Sequence, residues 1–194
     1  MNGKHRSHIR RARVVWILVP LLLLTGGCIR SIHPIHTEAT VKFDSRLVGA
    51  RNDPESTEVW AFSCEDDTTY GVIYTDSEGK TGKFRVHLAE VDGQRFLDFY
   101  PREPELDEND FYGFHLFPVH TFVHLQQIHP VLEMRFPDPD WLRKHLSANP
   151  AAIAHETMEG EVILTAKPEE LQAFWVEHLG SEGAFGEASQ LVKD

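Results

Sequence analysis

The amino-acid sequence predicts a mainly β protein, built as a small antiparallel β-barrel or a strongly bent sheet with two short α-helices in its C-terminal part. Three observations support this fold class. Apolar and polar residues alternate in several short runs after residue 57, turn-forming residues separate these runs, and two later segments carry helix-start signals. We therefore expect a single β-rich domain of about eight strands over residues 41–180.

The chain begins with a basic segment followed by an apolar one. Residues 1–13 hold five Lys or Arg and no acid, and residues 14–24 are uncharged and apolar. This order is typical of an export signal. The apolar segment would form a helix of roughly 16 Å, too short for a ~30 Å hydrocarbon core, and Pro20 would interrupt it. We therefore expect residues 1–27 to be a signal peptide rather than a transmembrane helix.

The leader ends in residues 24–28, LTGGC, which resemble the lipobox of bacterial lipoproteins. The resemblance implies cleavage before Cys28 and acylation of this cysteine, including palmitate, so that the mature protein is anchored in a membrane. Because Ile29 follows the cysteine, it also implies export to the outer membrane, facing the periplasm, if the source is Gram-negative. The alternatives are an ordinary secretory leader with Cys28 incidental, or an uncleaved signal anchor. Residues 28–40 would then be a lipidated N-terminus and tether.

The charge of the chain is strongly acidic. Its 194 residues carry 19 Lys or Arg and 30 Asp or Glu. Since the leader holds five of the cations and no acid, the mature chain keeps 14 cations against 30 acids, a net charge of −16. A charge of this sign disfavours nucleic acid as a partner. With Cys28 acylated, Cys64 has no partner for a disulfide, and we expect it to be a small buried core residue.

The first four strands are predicted from clean alternation between residues 57 and 100. Acidic or glycine-containing turns separate the runs, and Asp92-Gly93 is a strong hairpin signal because both positions tolerate positive φ. The alternating residues expected on the core face are Trp60, Phe62, Cys64, Tyr70, Val72, Tyr74, Phe84, Val86 and Leu88. These runs predict an antiparallel meander.

The second half predicts further strands and both helices. Residues 101–110 read as an exposed acidic loop, after which residues 111–126 and 131–136 predict a hairpin. Asp138 followed by proline predicts the first helix, and Pro168 starts the second. Residues 153–158 and 161–165 predict another hairpin between the helices. We expect residues 181–194 to be a loosely ordered tail.

The beginning of the domain, FDSRLVG at residues 43–49 followed by VWAF at residues 59–62, resembles the opening of lipocalin-like domains found in exported lipoproteins. The resemblance implies a calycin-type barrel whose cavity could hold a small apolar ligand. A candidate ligand pocket would be lined by aromatic residues on the strands, namely Trp60, Phe62, Tyr70, Tyr74, Phe84, Phe96 and Phe99. The alternative is that these aromatics simply fill the core, as they do in many small barrels.

The twelve histidines raise the question of a metal site. On a strand, His120 and His124 would share a face but lie roughly 13 Å apart, too far to bind one ion. A cross-strand site remains a candidate if the hairpin places Glu133 opposite His124. These residues, with His155, define the alternative function of a metal-assisted periplasmic hydrolase.

Binding is the function that the sequence favours. No glycine-rich phosphate loop and no Gly-x-Ser-x-Gly elbow occurs, so the sequence favours a binding protein over an enzyme and assigns no cofactor. We expect a lipid-anchored envelope protein that acts as a binding or interaction module. Its partner would be a small apolar ligand, or another envelope protein that docks on the acidic loop at residues 103–110.

Overall fold

The computed structural model describes residues 28–103 and 109–193, which form twelve β-strands and three α-helices. The strands are β1 Arg30–Ser31, β2 Val41–Lys42, β3 Gly49–Asn52, β4 Val59–Cys64, β5 Thr69–Thr75, β6 Thr81–Val91, β7 Gln94–Pro101, β8 Thr121–Gln127, β9 Val131–Pro137, β10 His155–Met158, β11 Glu161–Leu164 and β12 Phe185–Lys193. The helices are α1 Asp110–Gly113, α2 Pro139–Ala148 and α3 Pro168–His178, and a 3-10 helix covers Ser45–Leu47.

Several predictions concern residues beyond these ranges. The signal peptide at residues 1–27 and most of the acidic loop, residues 104–108, lie outside the described residues. In the ranges that are described, no helix has the length and apolar character needed to cross a bilayer.

Eight strands close into an antiparallel barrel. Their order is β6-β5-β4-β3-β12-β9-β8-β7, and β7 pairs back onto β6 to complete the ring. The long β6–β7 hairpin turns at Asp92 and Gly93, which both have positive φ as the sequence predicts. The fold class is therefore confirmed: a mainly β protein with a small closed antiparallel barrel, consistent with a calycin-like or lipocalin-like architecture. The meander β4–β7, the β8–β9 hairpin and the helices α2 and α3 are confirmed with it.

The interior of the barrel is filled by its own side chains. On each strand of the barrel, every second side chain points inward. These side chains form one buried apolar cluster, which we call the interior cluster. Its members are Leu47, Phe62, Tyr70, Val72, Val86, Leu88, Leu97, Phe99, Val123, Leu125, Ile128, Leu132, Met134 and Leu191. Since burying such a side chain contributes about 1.5–3 kcal/mol, this cluster is a large part of what stabilises the barrel.

Arg51 on β3 is the polar exception inside the barrel. It pairs in register with Trp60 and is 1% exposed. Its Nη2 donates to the backbone carbonyl of Arg46, whereas its Nε and Nη1 have no partner within the described residues. Burial lowers the pKa of Arg51. The bond to Arg46 ties the 3-10 helix, with its buried Leu47, to the barrel wall.

A second buried cluster covers part of the outer wall of the barrel. Ala89 on β6, Phe96 on β7 and Phe122 on β8 face outward and pack against α2, α3 and the β10–β11 hairpin. Trp175 on α3 is fully buried there, with its ring 5.8 Å from that of Phe122. We call this the outer cluster. Because both faces of β7 are covered, residues 96–99 are buried without interruption.

The N-terminal segment is part of the fold, so the predicted tether over residues 28–40 is wrong. Ile29 and Ile35 are buried in the outer cluster, and β1 pairs in parallel with β11. Gln172 on α3 donates from Nε2 to the carbonyl of Ile35 at 2.7 Å. Ile29 and Ile35 do not belong to an alternating or helical pattern in the sequence. They are buried because they pack against the outer wall of the barrel.

The C-terminal segment is also ordered, so the prediction of a loose tail over residues 181–194 is wrong. Residues 185–193 form β12, which pairs with both β9 and β3 and closes the barrel. Leu191 is buried inside, whereas Glu187, Ala188 and Gln190 are exposed. The strand has few apolar residues and a register shift near its start. For both reasons the sequence of β12 does not show the alternation of apolar and polar residues that is typical of a strand.

Two smaller expectations also fail. Residues 111–119 were expected to start a strand, but they contain the short helix α1 and an irregular stretch before β8. Cys64 is exposed at the end of β4, where its thiol donates to the carbonyl of Asp66 at 3.5 Å. The end of β4 lies at the rim of the barrel. Cys64 is therefore exposed, although the alternation places it on the same face of the strand as the buried Phe62.

The role of β12 in closing the barrel can be tested with two adjacent residues. We expect Leu191→Ala to lower the free energy of unfolding by about 2–5 kcal/mol, because it removes a buried side chain from the interior cluster. Val192→Ala, at the exposed neighbouring position, should change it by less than about 1 kcal/mol. Urea unfolding followed by circular dichroism measures both, and equal effects would contradict the assignment of β12 to the barrel.

Candidate functional site

The seven aromatics of the predicted ligand pocket do not line a common cavity. Five of them belong to the interior cluster or pack against it: Trp60, Phe62, Tyr70, Phe84 and Phe99. They contact one another, with the Phe84 and Phe99 ring centroids 6.0 Å apart. Phe96 lies in the outer cluster, because it faces the other side of β7, and Tyr74 is half-buried beside Trp60 at 4.4 Å. These side chains therefore serve as core.

The three residues of the predicted metal site have separate partners. The His120 imidazole points at a buried carboxylate on β7, and Glu133 accepts a hydrogen bond from Gln190 at 3.1 Å. Arg135 stands opposite His124, whereas Glu133 pairs with Gln127 close to the turn of the hairpin. The prediction that Glu133 faces His124 is therefore wrong. Within the described residues, no group of three or more His, Cys, Asp or Glu is arranged to hold a metal ion.

A buried carboxylate on β7 gathers two histidines. Asp98 is 1% exposed, and its Oδ1 accepts a hydrogen bond from His120 Nδ1 at 2.7 Å. Its Oδ2 accepts from His36 Nδ1 at 3.2 Å and from the backbone N–H of Ile35 at 2.6 Å. A hydrogen bond to a charged acceptor contributes roughly 1.5–3 kcal/mol. Asp98 therefore holds both imidazoles with Nδ1 protonated, which leaves Nε2 of each ring on the side away from the carboxylate.

Backbone contacts bring the two histidines to this carboxylate from distant parts of the chain. Ser31 donates from its N–H to the carbonyl of His120 at 2.9 Å, and His120 donates to the carbonyl of Ser31 at 2.8 Å. Ser31 is fully buried. This bridge lays the N-terminal segment along the outer wall, and the bond from Gln172 to Ile35 fixes the residue before His36.

Three more side chains surround the pair. The His87 ring on β6 stacks on His36 with centroids 4.1 Å apart. Tyr100 on β7 packs against His120 at 4.6 Å, and the Arg85 guanidinium carbon lies 5.6 Å from the centroid of the Tyr100 ring. Alternation places these groups together, because Arg85 and His87 share the outward face of β6 and Tyr100 shares the outward face of β7 with Asp98.

These side chains line a cleft of about 330 Å³ on the outer wall of the barrel. We call it the His–Asp cleft, with Asp98 buried behind its histidines. Its lining residues are Ile32, Pro34, His36, Arg85, His87, Tyr100, Phe117, Pro118 and His120. The cleft thus joins a polar, hydrogen-bonding wall to an apolar one.

The charge state of the cleft follows from burial and from the hydrogen bonds. Burial raises the pKa of Asp98, but the hydrogen bonds from His120 and His36 outweigh it and leave this pKa below its usual range. Burial, with His36 adding to it, lowers the pKa of His87 to about 4. At neutral pH the cleft therefore contains an ionised carboxylate, a neutral His87 and the permanent positive charge of Arg85.

The arrangement offers several hydrogen-bonding groups to a ligand. Nε2 of His36 and of His120 has no hydrogen-bond partner among the described residues, and neither does the Tyr100 hydroxyl. Arg85 adds a guanidinium that is exposed to solvent. With Nδ1 protonated, Nε2 of each ring accepts a hydrogen bond, so the groups of the cleft that can donate to an anion are the Arg85 guanidinium and the Tyr100 hydroxyl.

A larger open cleft of about 600 Å³ lies between α2 and α3. Its histidines, His145 and His178, pack edge to face at 4.7 Å within a group of aromatic rings that includes Trp141. His178 Nδ1 lies 3.2 Å from the Ser181 hydroxyl. Neither imidazole is hydrogen-bonded to a carboxylate in the described residues, and this distinguishes the second cleft from the His–Asp cleft.

Sequence reasoning found only His120 among the polar residues of this site. His36 lies in residues 28–40, which the sequence predicts to be a tether, and the sequence assigns no role to His87 or Asp98. One signal was present: Asp98 stands alone among apolar residues in the run FLDFY at residues 96–100. A lone acid in a strand that is buried on both faces requires hydrogen-bond partners.

The comparisons with protein-family models, with curated proteins and with solved structures find no match to this chain. The side chains of the cleft are therefore the basis for its functional interpretation.

The dependence of the site on Asp98 can be measured. We expect Asp98→Asn to lower the free energy of unfolding at pH 7 by about 2–4 kcal/mol, because a neutral amide replaces the charge that three donors face. A carboxylate whose pKa is lower in the folded than in the unfolded protein stabilises the fold fully at pH values above its unfolded-state pKa. This contribution is lost as the pH falls through its folded-state pKa. The difference between wild type and variant should therefore shrink in acid.

Urea unfolding between pH 7 and pH 3 tests this expectation. Asp67→Asn, at an exposed turn position, is the matched control and should change the free energy of unfolding by less than about 0.5 kcal/mol. A pH-independent difference between wild type and Asp98→Asn would contradict a stabilising ionised carboxylate.

Proposed function

We propose that this protein is exported, is anchored to a membrane by a lipid on Cys28, and acts as a binding module of the cell envelope that holds an anionic group in the His–Asp cleft. The leader, with its five cations, apolar stretch and LTGGC ending, supports export and lipidation. The exposed Cys28 stands directly before Ile29, the first buried residue of the described ranges, so its thiol is accessible at the edge of the folded domain.

The observation that carries the binding proposal is the buried Asp98 behind two imidazoles. A carboxylate nearly withdrawn from water is costly unless hydrogen bonds compensate for it. Here the compensation comes from two histidines that also line a cleft, so the same bonds that stabilise Asp98 orient His36 and His120 towards a ligand. Such preorganisation lowers the entropic cost of binding.

The ligand class follows from the charge of the surroundings. The mature chain has a calculated net charge of −16, yet the outward face of β6 carries Lys83 and Arg85 beside the histidines. These two cations on an otherwise acidic protein favour a small anion such as a carboxylate or a phosphate group. Ile32, Pro34 and Phe117 supply an apolar wall for the rest of the molecule. The volume of about 330 Å³ suits a small ligand.

The other expected functions receive less support. A ligand inside the barrel would have to displace the interior cluster. The metal-assisted hydrolase would need residues that lie apart, since His155 on β10 donates from Nδ1 to the carbonyl of Ile153 at 2.9 Å, while His124 and Glu133 have their own partners. An envelope protein that docks on residues 103–110 would contact a segment that lies mostly outside the described residues.

Lipidation is tested by metabolic labelling. We expect bacteria that express the full chain to incorporate labelled palmitate into the protein, and Cys28→Ser to abolish the label because it removes the acylated thiol. Cys64→Ser is the matched control, since Cys64 is the other cysteine of the chain, and it should retain the label. Label retained on Cys28→Ser, or absent from the wild-type protein, would overturn this part of the proposal.

Anion binding is tested by titrating the protein with inorganic phosphate and with hexanoate while following the histidine side chains by NMR. We expect saturable shifts at His36, His87 and His120. His145 and His178, in the cleft between α2 and α3, should not shift. Removing the cation with Arg85→Ala should weaken binding about three- to tenfold.

The matched control for the cation is Arg46→Ala. Arg46 is exposed and paired with Asp44, and it does not line the cleft. Its loss should leave the affinity unchanged. Equal weakening by both arginine variants would indicate a nonspecific charge effect, and the absence of shifts at the three cleft histidines would contradict the proposed site.

A further inference from the structure

An exposed aromatic loop lies beside the cleft. Five large apolar side chains are exposed within seven consecutive residues between β7 and β8, each with 46–86% of its surface accessible: Phe111, Tyr112, Phe114, Leu116 and Phe117. We call residues 111–117 the aromatic loop. At about 150–250 Å² per large side chain, the exposed apolar area is roughly 600 Å². Patches of this size on a folded protein generally mark an interaction surface.

The loop is rooted close to the N-terminal end of the folded domain. The bridge between Ser31 and His120 joins the segment that follows Cys28 to the segment that follows the loop. Ser31 is three positions after Cys28, and His120 is three positions after Phe117, so Cys28 and Phe117 each lie within about 11 Å of the bridge along the chain. A lipid on Cys28 would therefore hold the aromatic loop within a few tens of ångströms of the bilayer surface.

We propose that the aromatic loop inserts into the interfacial layer of a lipid bilayer and gives the protein a second membrane contact. Phe and Tyr with an intervening Leu are the side chains that enter the boundary between headgroups and acyl chains. The helix α1 has no buried residue, and within the described residues no side chain of the aromatic loop belongs to either buried cluster.

The composition around the loop favours a neutral bilayer over an anionic one. Glu103 and Asp110 flank the aromatic residues, and the mature chain is strongly acidic. Negative charge is repelled by anionic lipid, so insertion must be driven by apolar burial rather than by charge. Vesicles of phosphatidylcholine are therefore the appropriate probe.

Insertion would also orient the His–Asp cleft. Phe117 lies both in the aromatic loop and in the lining of the cleft, next to Pro118. With the loop in the bilayer, the mouth of the cleft faces the headgroup layer, where phosphate groups are concentrated. This consequence rests on the proposed function, whereas the insertion itself is tested without reference to the cleft or to the lipid on Cys28.

The experiment is flotation of lipid-free protein with phosphatidylcholine vesicles. Residues 29–194 are suitable because both buried clusters lie within residues 29–191. We expect the wild-type chain to float with the vesicles and the double variant Phe111→Ser/Phe114→Ser to partition at least tenfold less. Neither residue lines the cleft, and both are exposed, so the midpoint of thermal unfolding should not change.

The matched control is Ile73→Ser/Met158→Ser, which removes two exposed apolar side chains on β5 and β10. It should float as the wild type does. Equal loss in both double variants, or wild-type binding only when anionic lipid is added, would overturn the inference. Loop-dependent self-association in sedimentation without flotation would also overturn it, and would identify the loop as a contact between copies. Since palmitate labelling reports on Cys28 separately, failure of insertion is distinguishable from failure of lipidation.

Discussion

The carboxylate of Asp98 joins three parts of the chain that are far apart in sequence. It lies on β7, accepts hydrogen bonds from Ile35 and His36 of the N-terminal segment, and accepts another from His120 before β8. A buried charge must be compensated by nearby donors, so this one residue constrains where all three segments lie. The N-terminal segment in turn covers the barrel wall and places Ile35 in the outer cluster. Fold and candidate site therefore depend on the same bonds.

The two buried clusters explain why the candidate site lies on the wall of the barrel and not inside it. Side chains of one parity fill the interior, including the aromatics that a ligand cavity would need. Side chains of the other parity face a cover made from α2, α3 and the N-terminal segment. Where this cover ends, polar residues of the outward parity become accessible, and Arg85, His87 and Tyr100 stand at that border. The cleft thus lies at the edge of the packed outer cluster, and the N-terminal segment that carries His36 forms one of its walls.

The cleft and the aromatic loop form one continuous surface. Phe117 and Pro118 bound the cleft on one side, and the remaining apolar side chains of the loop extend beyond them. A surface that combines hydrogen-bonding imidazoles with exposed Phe is suited to the boundary between water and lipid, where polar and apolar groups meet.

The sequence by itself determined the regular elements, because alternation, turn residues and helix caps act over a few neighbouring positions. The meander β4–β7, the β8–β9 hairpin, Asp138 as a helix cap and the mainly β class all follow from such local patterns. Tertiary structure decided the rest. β12 becomes a strand because β9 and β3 offer it open edges, and Ile29 and Ile35 are buried because the outer wall of the barrel receives them. The grouping of His36, His87 and His120 around Asp98 depends on ring closure and on a bridge between residues 31 and 120, and long-range contacts of this kind leave no periodic trace in the sequence.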